Sequence, residues 1–162
     1  MSKLPLVLRE LHRSETSLGR TLLAVADRHH VEHEVFHLAR DLARRPREHV
    51  RRLADVGHDH GLTLDPEPRW TVPDRVAAVL RRGGDALGRR PEPGLLLLAD
   101  LRRLHRKAAG VSLDWELLAQ AAQGMKQPRL LELARSCHPE TLRIMQWSNA
   151  HLKVMSPQII AS

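Results

Sequence analysis

Leu8, Leu11, Leu18, Leu22 and Val25 recur at helical intervals, and Glu15 falls in the same line. The spacing predicts a helix from about Lys3 to Arg28, weakened locally by Gly19. A second helix is expected from about Val31 to His60, with Val35, Leu38, Leu42, His49, Leu53 and Val56 on one face, a kink at Pro46 and a stop at Gly61. A third runs from about Pro93 to Gly124 along Leu97, Leu101, Leu104, Ala108, Val111, Trp115, Leu118 and Ala122, with Gly110 as the place where it can break. A fourth, from about Pro128 to Met155, aligns Leu133, Cys137, Glu140, Ile144, Trp147 and His151. Pro139 should bend it, and Ser156 before Pro157 should end it.

Residues 62–94 hold Pro66, Pro68, Pro73, Pro91 and Pro93 with Gly83, Gly84 and Gly88, so they cannot form a long helix. Within them, Thr71 to Asp74 open a short amphipathic segment, Arg75 to Arg82, that can bury Val76, Val79 and Leu80. The pattern is therefore an all-α four-helix bundle in a single domain, 1–162: two antiparallel hairpins joined by a long crossover carrying one short helix. An up-down-up-down bundle would need no such span.

Composition narrows the picture. The 162 residues include one Phe, three Trp and no Tyr, a poverty of aromatics that argues against a sheet. A single cysteine, Cys137, rules out an internal disulfide and suits a reducing compartment. No run approaches the roughly 20 apolar residues of a membrane span, so a cytoplasmic location without membrane association is expected. The formal charge of +7 is carried mostly by arginine.

Glu15 is the position that asks for chemistry. A carboxylate in an apolar line needs a cation, a metal or hydrogen-bond donors opposite it, because burying it alone costs several kcal/mol. With the helix order and the crossover, the segments Leu8–Glu15, Arg47–Leu53, Trp115–Gln123 and Cys137–Thr141 resemble the ferritin-like superfamily, in particular small bacterial bundles of that fold. The resemblance implies a bundle-centre metal site of iron or manganese, with one Glu from each of two helices and a Glu-x-x-His pair from each of the others. Glu15 matches the single Glu of the first helix, His49 is the best match in depth on the second, and Glu140 is the acid of the fourth. These three form the candidate site.

The family pattern is incomplete. Glu34 and His37 have the Glu-x-x-His spacing but lie near the turn, about 10 Å from the height of Glu15 at roughly 1.5 Å per residue. Position 143 is arginine, so Glu140 has no His partner. On the third helix the nearest ligand types, Asp100 and His105, lie one to two turns too far from the final turn. Asp100, His105, Glu34 and His37 are secondary candidates, and no cofactor is required. The expected function is a bundle with a degenerate or absent di-iron site, acting as a binding or scaffold homodimer. The alternative is an iron- or manganese-dependent oxidoreductase using the same Glu/His site.

Other features carry less. In the cluster His29, His30, His33 and His37, the pair His33 and His37 could chelate a metal, but such a cluster suits a solvated helix end. Arg40, Arg44, Arg47 and Arg51, with Arg102, Arg103 and Arg106, could bind phosphates or an acidic protein partner. Interleaved Asp41, Glu48 and Asp55 favour a compensated face, and without exposed aromatics for base stacking nucleic acid is the least favoured partner. Cys137 reads as a small buried hydrophobe.

Overall fold

The computed structural model describes residues 2–71 and 92–162. All its regular elements are helical: α1, Leu4–Arg28; α2, His33–Leu42; α3, Arg44–His58; α4, Pro93–Gly124; and α5, Pro128–Ile160. The expected short segment Arg75 to Arg82 lies outside the described residues. No helix among the described residues is long and apolar enough to cross a membrane.

Helix α1 packs against α2, α3 and α4, and α5 packs against α4 and α3, so four rods enclose a main apolar cluster and a smaller one around Val25, Val35, Leu97 and Leu101. Cross-helix pairs fix their directions. Ser14 meets Asp114 while Arg28 meets Asp100, which makes α1 and α4 antiparallel. Arg52 meets Cys137 while Asp59 meets Arg129, which does the same for α3 and α5. The rods therefore run up, down, down and up. The chain leaves α3 at the end marked by Arg129 and enters α4 at the opposite end.

Three boundaries differ from the expectation. The second rod is broken: α2 ends at Leu42 and α3 begins at Arg44. Pro46 has no N–H to donate to the Leu42 carbonyl four residues earlier, and its ring crowds that carbonyl, so the ladder stops there. Helix α4 continues through Gly110, which points into open space while Ala108, Val111 and Trp115 on either side are buried. Helix α5 runs on through Pro157 to Ile160. Leu152, Met155 and Ile159 pack on Leu97 and Leu101, and this burial holds the last turns helical despite the lost hydrogen bond.

Gly61 stops α3 as anticipated, with φ at 72°. The Leu62 amide bonds the Gly57 carbonyl at 3.0 Å and the Gly61 amide bonds that of His58 at 3.1 Å, the paired closure of a Schellman turn. Beyond it, residues 62–71 run back along α1 and α3. His12 bonds the Asp65 carbonyl, Arg20 bonds that of Arg69, and Trp70 lies over Gly19 and Pro46.

Candidate functional site

The polar centre of the bundle takes a residue from every rod. The Glu15 Oε1 atom on α1 accepts hydrogen bonds from His49 Nδ1 on α3 at 2.8 Å and from Trp115 Nε1 on α4 at 2.6 Å. Thr141 Oγ1 on α5 completes the set at 3.5 Å. All four side chains are buried, and the Trp115 indole stands edge-on to the imidazole, 5.6 Å between centroids. The second carboxylate oxygen, Oε2, is buried with no partner among the described residues.

His49 carries the opposing charge. Burial is the largest single influence on it and favours the neutral ring. The negative charge of Glu15, with hydrogen bonds to Cys137 and Glu15, outweighs burial and pushes its pKa up to about 10. The centre at neutral pH is therefore an imidazolium–carboxylate pair. Cys137, fully buried on α5, also receives Arg52 Nη1 at 3.4 Å.

Glu140 does not join this group. It lies toward the outside of α5, where Arg45 approaches at 3.3 Å and Arg143 at 3.5 Å. Thr141 takes the interior place, because both positions 140 and 141 are in helical register with Cys137 and the rotation of α5 selects between them. The donor set does not fit iron or manganese. His49 Nδ1 donates its proton to Glu15, and Trp115 supplies a donor where a metal needs a lone pair. Among the described residues no group of three or more His, Cys, Asp or Glu side chains could hold a metal ion.

The secondary candidates are scattered. Asp100 is buried near the start of α4 and accepts from Arg28 at 2.8 Å and His29 at 2.8 Å. Burial tends to raise its pKa, but the His29 hydrogen bond and the Arg28 charge hold it below the ordinary carboxylate value. His105 Nδ1 lies 3.1 Å from both the Met145 carbonyl and Ser148 Oγ, across the α4–α5 interface. Glu34 is exposed and 3.9 Å from His151, while His37 stacks on His33.

Between α3 and α5, outside the polar centre, lies an open cavity of about 670 Å³ with His49, Arg45, Arg52, Ser136 and Glu140 in its wall. The expected arginine stripe flanks it. Arg47 and Arg51 both bond Glu67 at 2.8 Å, and with Trp70 they bring the Glu67 pKa down to about 2, with Arg47 the principal cause. A second arrangement links Ser112 Oγ to His138 Nε2 at 2.7 Å, with Glu116 3.7 Å from the other ring nitrogen. It cannot act as a serine nucleophile: Ser112 sits mid-helix, where backbone amides are committed to the helical ladder and no oxyanion donors are free.

Sequence reasoning missed Trp115, Thr141, Cys137 and Arg52 as partners of the centre. Trp115 stood in the apolar line of its helix, and an indole N–H deep in such a line is itself a sign that an acceptor faces it. Set against protein-family models, curated proteins and solved structures, the chain matches none of them.

Proposed function

We propose that this chain is a ferritin-like bundle that works without a metal centre, as a binding protein assembled into a homodimer. The observation that carries the reading is the closure of Glu15 Oε1 by His49, Trp115 and Thr141. The acid that would hold a metal instead anchors a charge pair between rods. The up-down-down-up order and its long crossover support the ferritin-like assignment. Exposed Leu6 and Leu117 share a shallow groove between α1 and α4 with Arg9, Arg13, Glu10 and Asp114, a mixture of charges able to complement itself across a two-fold axis.

Elemental analysis of untagged protein tests the metal-free reading. The expected result is iron and manganese well below one per chain, and a melting temperature unmoved by loading with either. Stoichiometric metal that disappears in Glu15→Ala overturns it. The iron- or manganese-dependent oxidoreductase keeps one supporting observation, the unpartnered Glu15 Oε2, and the same measurement decides for or against it.

A further inference from the structure

We propose that the cavity between α3 and α5 is a binding site for a small phosphorylated molecule, whose phosphate is held by Arg52 and Arg45. The inference rests on the binding role proposed above and gives it a ligand class.

Arg52 is the exceptional guanidinium of this wall. Arg44 pairs with Asp41, Arg47 and Arg51 pair with Glu67, and Arg45 pairs with Glu140. Arg52 has no carboxylate partner among the described residues; its one polar contact is the Cys137 sulfur, a poor acceptor at 3.4 Å. A half-buried guanidinium has five N–H donors in a planar fork, and most of this fork is unused. Phosphate oxygens match that fork in pairs.

Arg45 stands on the same wall and is held lightly. Glu140, its partner at 3.3 Å, is also approached by Arg143 at 3.5 Å. A phosphate can thus take Arg45 while Glu140 keeps a cation. The buried His49 ring lies in the wall as well, its charge balanced by Glu15.

Shape chooses the class of anion. A concave space of about 670 Å³ falls within the range of small-molecule sites. An extended nucleic acid would call for a long basic track with stacking aromatics, and among the described residues no aromatic ring other than His49 lines this wall. An acidic protein would meet a rim already lined by Asp41 and Glu48.

Calorimetric titration of the full chain at about 50 mM salt with inorganic phosphate, adenosine 5′-monophosphate and a short DNA duplex tests the assignment. Saturable binding of the monophosphate is expected, weakened about tenfold or more in both Arg52→Gln and Arg45→Gln, and unchanged in Arg102→Gln on α4. Arg52→Lys should also fail to restore it, since an ammonium lacks the fork. Phosphate competing with the monophosphate supports the site. If inorganic phosphate alone binds, the site is one for the free ion and the phosphorylated-molecule assignment is overturned. Equal weakening in Arg102→Gln, binding of the duplex alone, or no saturable binding also overturns it. Arg45→Gln lies at the rim and keeps the test valid should Arg52→Gln fail to fold. Metal-free protein that binds no monophosphate sinks this proposal alone; metal-loaded protein that binds it sinks the metal-free reading alone.

Discussion

The described residues of the bundle contain two buried acid–histidine pairs, Glu15–His49 at mid-height and Asp100–His29 at one end, both 2.8 Å long. They differ in what stands behind the histidine. Besides the His29 ring, Asp100 has the guanidinium of Arg28, whose side chain is 42% exposed and keeps its charge in contact with water. Among the described residues Glu15 has His49 as its only cation, and its remaining partners are the neutral Trp115 and Thr141. One pair is backed up and ventilated; the other is sealed and mutually dependent. Burial alone therefore does not say how much a charged pair matters, whereas the number of independent cations does.

The sharpest break of that contrast is His49→Ala, which leaves Glu15 sealed without a cation. A loss of about 3–5 kcal/mol in urea unfolding is expected. Replacing both residues by leucine should recover most of it, since an apolar pair of similar volume carries no stranded charge. A His49→Ala loss below about 1 kcal/mol would show that Glu15 is readily neutralised by another route.

The pH dependence of stability comes next. Folded His49 holds its proton up to about pH 10, whereas the unfolded chain releases it near 6.5. Its contribution is complete below 6.5, falls as the pH rises between those values, and amounts to a few kcal/mol. Asp100 acts on the other limb. Its folded pKa lies below the ordinary 3.8, so its contribution is complete above 3.8 and disappears as the pH falls through the folded value. Thermal melts across pH should show both limbs, with His49→Gln flattening the alkaline one and Asp100→Asn the acid one. An alkaline limb of unchanged slope in His49→Gln would remove His49 as its source.

The smallest effect belongs to His29→Ala, about 1–2 kcal/mol, because Arg28 still faces Asp100 and only one charged hydrogen bond is lost. If this loss equals that of His49→Ala in the same denaturation series, the distinction between the two pairs collapses.

Much of this was legible in the sequence. Helical periodicity marked the rods, and Glu15 stood out because an acid occupied a leucine line. The remainder depended on rotations and distances that periodicity does not carry. Glu140 and Thr141 are adjacent candidates for the same inward place, and only the packing of α5 against Trp115, with Arg45 waiting outside, separates them. Asp100 found His29 across 71 residues of chain, a pairing no local pattern announces. The passage of α5 through Pro157 shows tertiary burial overriding a local preference.

Gly19, Pro46 and Trp70 together have a further consequence. A Cβ on Gly19 would lie 2.6 Å from Trp70 Cζ3 and 3.2 Å from Pro46 Cβ, so the bare glycine and the helix-interrupting proline form a socket filled by the indole. That socket exists only when the first and second rods stand side by side. Trp70 therefore docks on both rods at once, so its burial and their pairing stabilise each other.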